Sequence, residues 1–199
     1  MLAERLMDLI CNALIQLNQH LVIMKGKFNN AFVVCGPESS GSVFIAQVLS
    51  YAIGVCKYYK EYSGYGCNMD IWGEGLVLHR SIPYQRPKRW QDSLLKEVEG
   101  FKEKYQHVNY ILTTRYSEVS IRSKMNRFGD DLLSARADLV QALPFFQLLA
   151  SDASTFIWSY ETMLLLKDAY FLRLYNHFKI DSDFIPDIYD GNAPYLVNL

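Results

Sequence analysis

The sequence has no excess of charge of either sign: 20 Lys and Arg stand against 21 Asp and Glu, a formal net charge of -1. The broad electrostatic footprint of a nucleic-acid or anionic-membrane binder is therefore missing, and any anion must be held locally. Cysteine is scarce. Cys11, Cys35, Cys56 and Cys67 form no C-x-x-C pair and are too few to staple a chain of 199 residues. Reduced thiols, a cytoplasmic location and no structural metal are the expectation. There is no uncharged apolar run of the roughly 20 residues that a membrane-spanning helix needs. Repeats with a period of roughly 20 to 50 residues are also lacking, as is any low-complexity linker, so residues 1–199 are expected to form one domain.

What is present is core-forming material. Half of the residues are hydrophobic and 14% are aromatic, which argues against intrinsic disorder. A chain of this length buries roughly 70% of its unfolded surface and should fold without staples. The opening residues are apolar, but Glu4 and Asp8 interrupt them and no small-residue cleavage site follows, unlike a secretory leader. Leu2, Leu6, Leu9, Ile10, Ala13, Leu14, Leu17 and Leu21 instead recur at helical spacing, predicting an amphipathic helix over 1–26 packed on the domain.

Further on, short apolar or β-branched runs alternate with longer helical patterns. Strands are predicted at Ala31–Cys35, Gly54–Tyr59, Gly75–His79, Val108–Thr114 and Ser154–Tyr160. These runs are largely apolar rather than alternating, as in strands covered on both faces. Between them, Leu94, Leu95, Val98, Phe101 and Tyr105 mark one face of a helix over Gln91–Gln106, and Glu161–Phe178 reads as a buried helix. Strand and helix in alternation imply right-handed β-α-β units. The fold class is α/β, a three-layer sandwich with a mostly parallel five-stranded sheet whose ligands sit beyond the carboxyl ends of the strands.

The first strong strand runs directly into Gly36-Pro37-Glu38-Ser39-Ser40-Gly41-Ser42 and then into a helical run. Two glycines five apart let the backbone turn sharply, so that its N–H groups and the new helix N-terminus converge on one spot, a site for phosphate or sulfate. The other reading is an ordinary turn with Ser39 or Ser40 capping the helix. Set against the nucleotide-triphosphatase pattern G-x-x-x-x-G-K-[ST], the spacing matches. However, Ser42 stands in the place of the lysine and Val43 in that of the magnesium-binding hydroxyl. A cradle without metal ligands suits a donor that needs no magnesium.

A second half of the site is predicted at the end of the fourth strand. Arg115 follows it, Ser117 can cap a helix beginning there, and Ser123 falls eight residues after Arg115. Arginine at a strand end and a hydroxyl on the next helix can together grip a second phosphate. A surface Arg and a solvated Ser is the alternative.

These two features, a P-x-x-x-G-[ST]-like turn after the first strand and R-x7-S after a later one, resemble the sulfotransferases that use 3′-phosphoadenosine 5′-phosphosulfate. The resemblance spans about the middle half of the chain and implies the P-loop α/β sandwich. It implies that Pro37, Ser39, Ser40, Gly41 and Ser42 form the loop that holds the 5′-phosphosulfate, with Gly36 and Glu38 as further candidates in the same turn, and that Arg115 and Ser123 hold the 3′-phosphate. Many members carry Lys or Arg in the first loop where Glu38 lies here. The C-terminal R-K-G motif of the cytosolic members has no counterpart, and the sequence runs instead into YDGNAPYLVNL.

His79, at the end of the third predicted strand, is the candidate general base for an acceptor hydroxyl, a role that a His or Glu of this region plays in the family. The competing reading is a histidine held by local hydrogen bonds. His20, His107 and His177 read as structural or surface residues in helices or at a helix end. Arg80, Arg86, Lys88 and Arg89, with Tyr84 and Trp90, form one basic segment, and Arg122, Lys124 and Arg127 form another. Flanking the pocket, both would concentrate positive potential there. The Tyr- and Gly-rich stretch Tyr58–Gly75 is either an acceptor-lining loop or plain packing. The expected function is sulfuryl transfer to an acceptor hydroxyl, on a small molecule or a glycan. An atypical P-loop kinase of nucleotides or metabolites and a non-catalytic nucleotide- or partner-binding protein are the alternatives.

Overall fold

The computed structural model describes residues 28–60, 75–82, 99–100, 102–103 and 105–196. Four parallel strands, β1 (Phe28–Gly36), β2 (Gly75–Ser81), β3 (Tyr105–Thr114) and β4 (Thr155–Ser159), form a sheet in the order β2-β1-β3-β4. Helix α1 (Ser42–Ala52) follows β1. Helices α2 (Ser117–Phe128) and α3 (Leu132–Ala150) lie between β3 and β4, and α4 (Tyr160–Leu166), α5 (Asp168–Phe178) and the single turn α6 (Ala193–Leu196) come after β4.

Side-chain alternation along the strands feeds two separate cores. Phe32 and Val34 of β1 and Ile111 of β3 pack with Ile45 and Leu49 of α1 and with Phe171 and Leu174 of α5. Val33, Cys35, Tyr110 and Leu112 point the other way, onto Ala142 and Leu149 of α3. Helices thus cover both faces of β1 and of the carboxyl half of β3, which is why these segments read as largely apolar runs, whereas the edge strand β4 alternates and leaves Ile157 exposed. The expected α/β sandwich with a parallel sheet is present.

Several expectations are corrected. Gly54–Tyr59 is turn and bend, not strand. Gly54 has φ +72° and reverses the chain after α1, and Cys56 N–H bonds back to Ser50 O, so the backbone donors there serve the helix end rather than a neighbouring strand. The predicted helix Glu161–Phe178 is broken at Lys167, which takes φ 48° and ψ -124°. The break turns α5 so that Tyr170 and Phe171 stack on the fully buried Trp158, with ring centroids 4.5 and 5.1 Å away. This helical stretch is less buried than expected, since Leu165 is 80% exposed.

Residues 99–100 and 102–103 are helical, in line with the helix predicted over Gln91–Gln106, but Tyr105 and Gln106 already belong to β3. His107 is likewise in a strand. The N-terminal helix over 1–26, Cys11 and Cys67, most of Tyr58–Gly75 and the basic residues Arg86, Lys88 and Arg89 lie outside the described residues. Among the described residues, no helix is long and apolar enough to cross a membrane.

Candidate functional site

The chain leaves β1 and pairs β2 on one side and β3 on the other, so the connections diverge between the carboxyl ends of β1 and β3. That divergence opens the crevice in which parallel sheets bind ligands. The turn 36–42 occupies it. Gly36 is required there by close approach: a methyl group on it would lie 2.1 Å from Thr113 Oγ1 and 2.5 Å from Thr113 O. Ser39 and Gly41 both take positive φ, 65° and 88°. Thr113, the penultimate residue of β3, ties the loop down through a 2.7 Å bond between its hydroxyl and that of Ser40.

Neither serine caps α1. Its N-cap is Gly41, with no side-chain cap. Within the loop Ser40 N–H bonds to Pro37 O, but the N–H groups of Glu38, Ser39, Gly41, Ser42, Val43 and Phe44 take no backbone acceptor among the described residues. Ser39 Oγ is buried with no hydrogen-bond partner among the described residues. A run of N–H groups with no backbone acceptor among the described residues, a buried hydroxyl and the positive end of an eleven-residue helix together fit an oxyanion such as phosphate or sulfate.

His79 and Arg115 both reach this turn. His79, on β2, lies 2.8 Å through Nε2 from the hydroxyl of the buried Ser42. Arg115, immediately after β3, donates from Nη1 to Ser39 O at 2.9 Å. The turn, His79 and Arg115 thus lie together, although His79 is not at the strand end as expected, because β2 continues through Arg80 to Ser81. Arg115 is also held from elsewhere: Nε donates to Asn192 Oδ1 at 2.6 Å and Nη2 to Gly191 O at 2.5 Å. Its guanidinium lies 4.8 Å from the ring centroid of Tyr160 and 5.8 Å from that of Tyr195. Asn192 is buried and donates on to Glu161 Oε1, which also accepts from Tyr116 N–H. Burial raises the Tyr160 phenol above its ordinary pKa against the opposing pull of Gly191 N–H and Arg115, so Tyr160 stays neutral, donating to Tyr189 O and accepting from Gly191 N–H.

Ser123 is not drawn into this cluster. It lies half-buried on α2, and its hydroxyl makes no hydrogen bond among the described residues. Nor does Ser117 cap that helix, whose N-cap is Tyr116 without a side-chain bond. Lys124, expected as part of a cationic rim, is buried and held by the carboxylates of Glu38, Asp130 and Asp138. Burial by itself would lower its pKa, but the hydrogen bond and charge of Asp138, with Glu38 and Asp130, more than offset this and raise it. Arg122 donates to Tyr195 O at 3.1 Å. Among the described residues no His, Cys, Asp and Glu group is arranged to hold a metal ion.

No protein-family model matches the chain, and no curated protein matches it.

Sequence reasoning missed Thr113, Tyr160, Glu161 and Asn192. Three of them had a signal, since Thr113, Tyr160 and Glu161 fall at or just past the carboxyl ends of β3 and β4, where ligands of parallel sheets collect. Asn192 had only a turn-forming D-G-N context, which says nothing about a partner 77 residues away.

Proposed function

We propose that the chain moves a sulfuryl group from 3′-phosphoadenosine 5′-phosphosulfate to an acceptor hydroxyl, on a small molecule or a glycan, on a P-loop fold of the sulfotransferase kind. The observation that carries the reading is the convergence of Arg115 and His79 on one turn, at Ser39 O and at the Ser42 hydroxyl. The N–H groups of residues 41–44, which take no backbone acceptor among the described residues, would hold the 5′-phosphosulfate and stabilise charge developing on the leaving phosphate. Arg115 would meet the 3′-phosphate, and Ser123 is the remaining candidate for that group on α2. In the transfer, the acceptor oxygen forms the new bond to sulfur, the bond from sulfur to the 5′-phosphate oxygen breaks, and the acceptor proton passes to His79.

A second reading, nucleotide binding without turnover, is favoured by Lys124. The lysine beside the loop is neutralised by Glu38, Asp130 and Asp138 and does not lend its charge to a transferring group. The test is a paired thermal shift. Adenosine 3′,5′-bisphosphate in EDTA at about 100 times its Kd should raise Tm by about 5 °C or more. Stabilisation by magnesium ATP alone would instead select a kinase. Bisphosphate binding without sulfated product from any acceptor would select the second reading.

A further inference from the structure

Arg115 is already occupied on the edge that an oxyanion would use. The Nε–H and the neighbouring Nη2–H of a guanidinium point the same way and form the side-on fork that takes two oxygens of one phosphate or carboxylate. Here Asn192 Oδ1 sits on Nε at 2.6 Å and Gly191 O on Nη2 at 2.5 Å, so two uncharged oxygens of one short segment stand where two phosphate oxygens would. The segment is fastened on both sides. Tyr160 hydroxyl bonds Tyr189 O and Gly191 N–H, Asn192 amide bonds Glu161, and Tyr195 places its ring near the guanidinium and its carbonyl on Arg122. The fit is close: a methyl group on Gly191 would lie 2.8 Å from the Tyr160 hydroxyl.

We infer that residues 189–195 are a displaceable strap that imitates the 3′-phosphate on Arg115 and must be released before a nucleotide bearing that phosphate can use the arginine. The inference rests on the proposed role of Arg115 and adds its regulation. Neutral acceptors are the weaker partners of a guanidinium, so a phosphate can replace them, whereas the cost of opening the strap lowers apparent affinity. A nucleotide carrying only a 5′-phosphate engages the loop and leaves the strap shut.

The experiment measures binding of adenosine 3′,5′-bisphosphate and of adenosine 5′-monophosphate to the full chain and to two strap-loosening variants, Asn192→Ala and Tyr160→Phe. Both variants should bind the bisphosphate about five- to tenfold more tightly, with monophosphate binding unchanged, because the fraction of molecules with the strap open rises. Weaker or unchanged bisphosphate binding in both would overturn the strap while leaving Arg115 as the phosphate contact, a role checked separately by loss of binding in Arg115→Ala. If no form binds the bisphosphate, the strap and the sulfotransferase reading fall together. Hydrogen exchange on the unaltered protein covers the case in which the variants do not fold. The amides of Gly191 and Tyr195 should exchange faster with saturating bisphosphate and not with monophosphate, and greater protection would refute displacement.

Discussion

The ammonium of Lys124 on α2 lies 3.4 Å from the carboxylate of Glu38 in the turn after β1, and it joins that turn to Asp130, in the connection before α3, and to Asp138 within α3. One buried cation thus ties the candidate anion loop to two helices of the opposite layer. The acid at position 38, which departs from the loop of the resembling family, has a structural partner here that a sequence comparison does not reveal.

Removing that cation should be costly. Lys124→Met leaves three half-buried or buried carboxylates facing one another, and breaking a buried ion pair in this way costs about 3–5 kcal/mol, read as a lower urea midpoint. Glu38→Gln, which keeps two carboxylates on the lysine, should cost much less. The pH dependence has a fixed sign. Because Lys124 is raised above its ordinary 10.5, its contribution is complete below that pH and disappears as pH climbs through the higher folded value. Alkaline unfolding above pH 10.5 should therefore steepen relative to Lys124→Met.

Gly36→Ala should destabilise the protein and abolish anion binding together. Its new methyl group would meet Thr113 Oγ1 and Thr113 O at 2.1 and 2.5 Å, and one of these is backbone that cannot swing away. Forcing β1 and β3 apart costs about 1–3 kcal/mol, and it displaces the Ser40–Thr113 bond that shapes the loop. Gly100→Ala is the control, since a methyl group there meets nothing within 4 Å among the described residues beyond its own local backbone. That change should be neutral or stabilising by up to about 1 kcal/mol.

The strands that define the sheet were legible because each contains a short, largely apolar stretch, a pattern that survives any arrangement of helices around it. The break at Lys167 was not legible. Nothing in the local sequence ends a helix there, and the positive φ accompanies the long-range packing of Tyr170 and Phe171 on Trp158. The site divides in the same way. The glycine turn and Arg115 carry local signals of their own, a doubled Gly after a strand and a cation at a strand end. The acceptors on Arg115 come from Gly191 and Asn192, 76 and 77 residues on, and Lys124 meets Glu38 and Asp138 through the turn after β1 and through α3, which the fold brings to it. Partners brought by topology leave no mark in a window of sequence.

Cys35 should be inert in the folded protein. It lies fully buried in β1, and burial pushes its thiol up to about 12, so at pH 8 almost no thiolate exists and no reagent can reach it. Iodoacetamide at pH 8 should alkylate Cys35 only after denaturant is added, as followed on its peptide by mass spectrometry. Rapid labelling without denaturant would show that β1 opens from the sheet.

Arg115→Lys separates charge from geometry at the centre of the site. A lysine keeps the positive charge next to the loop but has no planar fork, so it cannot hold Ser39 O, Gly191 O and Asn192 Oδ1 together as Arg115 does. Leaving one or two of these acceptors unpaired in a half-buried site should cost about 1–3 kcal/mol, visible as a lower Tm. Bisphosphate binding should fall toward that of the 5′-monophosphate, while monophosphate binding, which depends on the N–H groups of the turn, should persist. If Arg115→Lys lost both ligands equally without losing stability, the arginine would be shaping the turn rather than contacting a second phosphate.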